Sequence, residues 1–210
     1  MAIPPGSLEI QGATVLLRPF GSTDMAWLKR FLESPAVHQL FWSDSEAGVA
    51  AGGKPGGGKG GRQSAARKGK STPSVDWTGL MQWYRSVAAD PDSTLLAVTT
   101  WSGHLLGYLL LREIDKPAGR ARLEIFFGDR QLWGRGYEED ALRTLLRYAF
   151  SSLGLSELRL VLPKSETVDT AWLTTVAERS GFIKEVTAAR EVWVARASVA
   201  AATAAAEGSE

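Results

Sequence analysis

Residues 119–153 read Gly119-Arg-Ala-Arg-Leu-Glu-Ile-Phe-Phe-Gly-Asp-Arg-Gln-Leu-Trp-Gly-Arg-Gly-Tyr-Glu-Glu-Asp-Ala-Leu-Arg-Thr-Leu-Leu-Arg-Tyr-Ala-Phe-Ser-Ser-Leu153. The apolar and aromatic run from about Ala121 to Phe127 predicts a strand. Leu142, Leu145, Leu146, Ala149 and Phe150 recur on one helical face and predict a helix over 138–152. Between them stands Gly134-Arg135-Gly136. The backbone N–H groups at such a junction have no helical partner, and the helix dipole adds partial positive charge. A strand, a glycine loop and a helix start in that order suit a phosphate or pyrophosphate, and equally a plain turn. A Walker-type loop is excluded, since no Gly-Lys-Ser/Thr follows. The dinucleotide fingerprint also fails, because its third glycine is missing.

Outward from this stretch the pattern alternates. Residues 12–20 read as a strand closed by Pro19, after which Ser22 or Thr23 caps a helix over 24–33 with Trp27, Leu28, Phe31 and Leu32 on one face. Trp77, Leu80, Met81, Tyr84 and Val87 predict a helix over 76–88. Leu95–Thr100 and Leu105–Glu113 flank Trp101-Ser102-Gly103 as a hairpin. Downstream lie a short strand over 158–162, a helix over 169–179 carrying Trp172, Leu173 and Val176, and strands at 182–187 and 190–196. Three consecutive strands followed by βα units predict an α/β (α+β) mixed sheet with helices on both faces.

The 210 residues fit one domain, and 44% apolar content with 8 tryptophans is enough for its core. No cysteine is present, which excludes disulfides, a thiolate nucleophile and sulfur-ligated metal sites. With only His38 and His104, no metal centre is expected. The longest apolar runs are too short to span a bilayer. The start, Met-Ala-Ile-Pro-Pro-Gly, has neither a basic nor an apolar segment, so the expectation is a cytoplasmic protein with no membrane partner.

The net charge of +1 hides an uneven distribution. Residues 47–75 hold six of the 24 basic residues, no acidic one and nine of the 22 glycines; the remaining 18 basic residues against 23 acidic leave a net of −5. Glycine-rich chain without apolar periodicity recovers little ordering entropy by burial, so residues 46–73 are expected to form a flexible basic insertion. Its Lys54–Lys70 stretch is a candidate arm for RNA, a phosphate-rich partner or an acidic substrate, or a merely solvated loop. No aromatic residue is present there for a base to stack on, which weighs against nucleic acid. The Ala-rich tail 197–210 is expected to fray.

Several stretches together carry a resemblance. These are Val15-Leu16-Leu17-Arg18-Pro19, Ser34-Pro35-Ala36-Val37, Gly107-Tyr108 with Ile114-Asp115, Trp133-Gly134-Arg135-Gly136-Tyr137, and Ala177-Glu178-Arg179-Ser180-Gly181-Phe182. Over about residues 13–195, apart from the basic insertion, the chain resembles the GNAT N-acetyltransferase superfamily, and its RimJ/RimL-like branch in particular. The resemblance implies one domain over 12–196 that moves an acetyl group from acetyl-CoA to a primary amine by direct attack. Pantetheine would lie in a V-shaped opening along Ile125, Phe126 and Phe127, and the pyrophosphate on N–H groups from Gly134 through Arg135, Gly136 and Tyr137 to Glu138. Arg135 is then the natural charge partner. An N–H near Phe127 would stabilise the oxyanion, and Glu124 is the candidate base. His38, Trp42 and Trp77 are candidates for the acceptor side.

Three departures stand out. Trp133 opens the family's Gln/Arg-x-x-Gly-x-Gly/Ala pattern, and Glu138 stands where Gly or Ala is expected. Glu138, Glu139 and Asp140 place three acids in one helical turn, where they complement the dipole; with side chains pointing outward they would weaken pyrophosphate binding without excluding it. Thr170 replaces the asparagine that many relatives carry before the last helix. No tyrosine or serine acid is found, Leu173 and Ala177 occupying the matching places. Relatives modify protein N-termini, polyamines or antibiotics, and a monomer or a homodimer is compatible. The alternative is a catalytically impaired binding module whose basic loop contacts an acidic or nucleic-acid partner.

Overall fold

A computed structural model of the chain describes residues 8–34, 37, 75–160, 162, 171–187 and 190–197. The expected basic insertion, the tail beyond Ala197, His38, Trp42 and Thr170 lie outside the described residues. The strands are β1 (Ile10–Gln11), β2 (Val15–Pro19), β3 (Thr94–Thr100), β4 (Leu105–Asp115), β5 (Arg120–Phe127), β6 (Glu157–Leu160), β7 (Ile183–Thr187) and β8 (Arg190–Arg196). The helices are α1 (Met25–Leu32), α2 (Trp77–Ala89), α3 (Tyr137–Ser151) and α4 (Ala171–Arg179). One eight-stranded sheet runs in the order β1-β2-β3-β4-β5-β6-β8-β7. Among the described strands only β5 and β6 pair in parallel, joined by α3 as a crossover. The expected mixed sheet flanked by helices is the fold. Among the described residues no helix is long and apolar enough to cross a membrane.

Alternation along the central strands assigns the two faces. Tyr108 and Phe126, opposite one another in the β4–β5 ladder, stack with ring centroids 5.1 Å apart and 4° between planes. Trp27 of α1 meets Phe126 edge-on at 6.1 Å, and Trp83 of α2 meets Tyr108 at 5.7 Å. Helices α1 and α2 therefore cover this face. Leu109, Leu111, Leu123 and Ile125 point the other way and are buried, towards α3 and α4, which pack on each other. Gly107 faces Phe127 across the ladder, and a Cβ there would stand 1.9 Å from the Phe126 carbonyl oxygen. Only glycine lets β4 and β5 close at this rung.

Two sequence expectations change at the entry to the domain. The expected strand over 12–20 forms only as Val15–Pro19, and the chain before it pairs back as a short hairpin: Ile10–Gln11 pairs with Leu17–Leu16, and the Gly12 N–H donates to the Val15 carbonyl at 2.8 Å. The reason lies far along the chain. The Asp140 carboxylate in the first turn of α3 accepts from the N–H groups of Ala13 (3.0 Å), Thr14 (2.6 Å) and Val15 (3.0 Å) and from the Thr14 hydroxyl (2.8 Å). Residues 12–14 turn around a carboxylate rather than extend. Residues Ser22–Asp24 form a 3-10 turn, and neither Ser22 nor Thr23 caps α1. Asp24 is committed elsewhere. Its carboxylate takes both Arg18 guanidinium nitrogens (2.7 and 2.8 Å) and the Gly21 N–H (2.8 Å). Burial works to raise the Asp24 carboxyl, but the Arg18 and Gly21 hydrogen bonds and the Arg18 charge outweigh it and hold the group below its ordinary range. This bidentate pair sets the β2–α1 corner, and through it the position of α1 over Phe126.

Asp140 obeys the same balance. Burial opposes its ionisation, while the bonds from Thr14, Ala13 and Val15 win and hold its pKa low. Asp140→Ala strands three N–H groups and a hydroxyl, and is expected to cost about 2–4 kcal/mol, lowering the melting temperature by roughly 5–15 °C. The carboxylate's contribution is complete above the unfolded value of about 3.9 and is lost as pH falls through the lower folded value. The gap between wild type and variant should therefore shrink below about pH 4. Melting curves from pH 7 to pH 3 check this, and a constant gap would assign the tie to packing rather than charge.

Candidate functional site

β5 and β6 share four rungs, from Arg120 opposite Glu157 to Leu123 opposite Leu160. β5 then continues through Glu124–Phe127 with β4 on one side and, among the described residues, no strand on the other. The Gly128 N–H donates to the Leu106 carbonyl at 3.0 Å, so Gly128 turns its polar groups towards β4. In an antiparallel ladder these directions alternate, so Phe126 and Glu124 also face β4, while the N–H and C=O groups of Ile125 and Phe127 face the open side. The Trp133 indole confirms that geometry by donating to the Phe127 carbonyl from the open side at 3.1 Å. The Phe127 N–H points into the same opening.

Two tryptophans bridge the mouth. Trp133 follows β5 and Trp172, in the first turn of α4, follows β6; their rings stack at 4.9 Å and 23°. The Arg130 guanidinium lies 5.6 Å from the Trp133 ring. The Trp172 indole nitrogen is buried without a hydrogen-bond partner. The sequence reading took Trp172 only as core, although a large aromatic residue in the first turn of the helix after β6 was a usable signal.

The loop 134–136 is built on two left-handed glycines, Gly134 at φ 70° and Gly136 at φ 96°. Neither is crowded, so it is the backbone angle and not space that asks for glycine. Arg135 is exposed, its N–H bonded to the Leu132 carbonyl at 3.3 Å. α3 starts at Tyr137, one residue earlier than its apolar pattern indicated.

The three acids of this turn have three different roles, and none merely complements the dipole. Asp140 holds the β1–β2 turn. Glu139 pairs with Arg143 at 2.9 Å and reaches Arg179 of α4 at 4.0 Å. Glu138 overturns the expectation of an outward side chain. It is 2% exposed, and its Oε1 accepts the Gly134 N–H at 3.2 Å while Oε2 is buried without a partner. The left-handed turn at Gly134 aims that N–H back at the helix start, where a carboxylate four residues on can reach it. Burial pushes the Glu138 carboxyl above its ordinary range, its own N–H and that of Gly134 offsetting part of the effect.

On the opposite face, Glu124 lies next to the Tyr108–Phe126 stack. Its Oε1 is 3.6 Å from Arg112 and 3.8 Å from Arg122, so two arginines flank it. The buried Tyr108 phenol is held protonated by desolvation and by the Glu124 charge, with Arg112 opposing, which makes it a poorer acid than a free tyrosine. His104 is exposed, 3.9 Å from Asp129. Trp77 is 43% exposed at the start of α2. Among the described residues no group of His, Asp or Glu could hold a metal ion.

The acetyltransferase (GNAT) domain family matches residues 14–183. The chain belongs to the GNAT acetyltransferase family. Among solved structures, the GNAT fold of this chain is similar to that of a spermidine N-acetyltransferase from Vibrio cholerae in complex with CoA and spermine. The two are 15% identical with a TM-score of 0.63, over 90% of this chain and 99% of that one. It is also similar to a candidate ribosomal-protein-serine acetyltransferase from Vibrio cholerae, at 17% identity and a TM-score of 0.60, over 91% of this chain and 99% of that one. No curated protein matches the sequence.

Gly136→Ala tests the loop of this GNAT domain. A side chain in the left-handed region costs roughly 1–2 kcal/mol, so the melting temperature is expected to fall by about 2–8 °C. An unchanged melting temperature would show that the loop relaxes to another conformation without cost.

Proposed function

We propose that this GNAT domain moves an acetyl group from acetyl-CoA to a primary amine, on a small molecule or a protein N-terminus, by direct attack. The observation that carries this reading is the side of β5 away from β4, where, among the described residues, no strand lies beyond Leu123 and the polar groups of Ile125 and Phe127 turn outward. The residues present fit the group: an open strand edge accepts an extended amide chain as a further strand, and the glycine loop before α3 suits a pyrophosphate. Ile125, Phe126 and Phe127 would flank the pantetheine. Gly134, Arg135, Gly136, Tyr137 and Glu138 would surround the pyrophosphate, with Trp133 and Thr170 beside it. Bound acetyl-CoA supplies an activated carbonyl and a thiolate that leaves readily at neutral pH.

Each role of the chain follows from its placement. The Phe127 N–H, fixed by the ladder, is a donor available where negative charge would develop, which needs no reorganisation at the moment of reaction. Holding the amine beside that donor supplies much of the rate by positioning. Glu124, on the face covered by α1 and α2, accepts the proton that the amine loses, directly or through a water. A second reading, a disabled loop and a pure binding role, has one observation in its favour, the Glu138 carboxylate on the Gly134 N–H.

Melting with acetyl-CoA, and with desulfo-CoA and ATP as controls, separates the two readings. Ligand at 100 times its dissociation constant stabilises by about 2.7 kcal/mol, which is roughly 5–10 °C at this chain length. That shift with acetyl-CoA and little with ATP is expected; no shift at millimolar acetyl-CoA would leave the binding role. For the base, Glu124→Gln is expected to lower the rate by about 10²- to 10⁴-fold at neutral pH. The loss should shrink at high pH, where the amine arrives already deprotonated. Wild-type rates throughout would remove Glu124 from the mechanism.

A further inference from the structure

Glu138 stands in the first turn of α3, beside a glycine loop suited to an anion, yet it is itself an acid. It is 2% exposed, Oε1 is bonded to the Gly134 N–H at 3.2 Å, and Oε2 is enclosed with no hydrogen-bond partner. An enclosed carboxylate oxygen without a donor is costly when charged, and as a protonated acid it is a donor lacking an acceptor. A pyrophosphate oxygen is such an acceptor. We propose that Glu138 couples CoA binding to protonation: the pyrophosphate is accepted when Glu138 is neutral, the side chain turning from its enclosed position so that Oε2–H donates to a phosphate oxygen, and each CoA bound takes up a proton from solvent. This rests on the acetyl-CoA reading above.

The surrounding charges leave Glu138 to titrate by itself. On its own helix, Glu139 is held by Arg143 and by Arg179 of α4, and Asp140 is turned to the β1–β2 turn, whose donors are N–H groups and the Thr14 hydroxyl. In the loop, Arg135 is exposed and Arg130 lies over the Trp133 ring. On β5, Glu124 faces the other side of the sheet and is paired with Arg112 and Arg122. Burial already favours the neutral form, and a phosphate anion alongside would favour it further. The sign follows. CoA affinity falls as pH rises through the Glu138 titration, by up to a factor of about ten per pH unit.

Calorimetric titration of CoA into the full chain, from pH 6 to pH 9 in pairs of buffers with different ionisation enthalpies, measures both affinity and proton uptake. The comparison with Glu138→Gln subtracts the titration of CoA's own phosphates. Glutamine retains an acceptor for the Gly134 N–H and places a neutral donor at the other position. Wild type is expected to take up as much as one proton more than the variant, and its affinity is expected to fall more steeply with pH. At the alkaline end Glu138→Gln is expected to bind at least about tenfold more tightly, the equivalent of one unit of pKa coupling. Equal affinity and equal uptake in the two proteins across the range would overturn the proposal while leaving the acetyl-CoA reading intact. Binding by neither would overturn both. The wild-type uptake is read without any variant, so misfolding of Glu138→Gln would not decide the matter; absence of uptake beyond that of CoA's phosphates would.

Discussion

Strands β5 and β6 run parallel for four rungs, beyond which β5 continues with no described strand on that side, and the rest of the structure is arranged around that split. A parallel pair needs a crossover, and α3 supplies it, so the helix that closes the connection also starts at the mouth of the opening. Because strand polarity alternates, the split leaves the N–H and C=O groups of two particular residues, Ile125 and Phe127, facing outward from a buried strand. Buried backbone groups need partners. The Trp133 indole satisfies one, the Phe127 carbonyl, and an extended amide ligand in the opening would satisfy others. Among the described residues the sheet stops short there.

The first turn of α3 shows how one local sequence serves several distant needs. Glu138, Glu139 and Asp140 are adjacent in the chain, but a helix turns successive residues by about 100°, so they face three ways. One carboxylate folds the β1–β2 turn, one links α3 to α4 through arginines, and one closes over the glycine loop. The dipole explains why acids are tolerated at a helix start. It does not explain why each has a specific partner. That is a matter of what lies within reach once the sheet has formed.

On the other face, the Arg18–Asp24 pair fixes the corner from β2 into α1, and the aromatic packing of Trp27, Trp83 and Tyr108 around Phe126 sets α1 and α2 over Glu124. Glu124 lies among arginines on that side, while the opening and its glycine loop involve the strand edge and the opposite helices. Acceptor chemistry and CoA recognition would thus meet at the end of β5, with Phe126 and Phe127 pointing to opposite faces beside each other.

The order of strands and helices was legible from local chemistry. Period-2 and period-3.6 patterns mark β5, α3 and their neighbours, and the Gly134-Arg135-Gly136 loop marks the turn between strand and helix. These are properties of a few contiguous residues, so the chain alone states them. The hairpin at residues 10–17, the commitment of Asp24 to Arg18, the Trp133–Trp172 bridge and the inward Glu138 were not legible. The hairpin and the tryptophan bridge depend on partners tens of residues away, the Arg18–Asp24 pair on a corner that brings residues six apart together, and Glu138 on a left-handed glycine that aims one N–H at one carboxylate. Sequence patterning thus determined that this is a mixed sheet with a glycine loop between strand and helix, because periodicity and glycine act locally. Whether that loop holds its own carboxylate, and which backbone groups of β5 stand open, was decided by the tertiary structure alone, because burial and strand pairing exist only after distant segments meet.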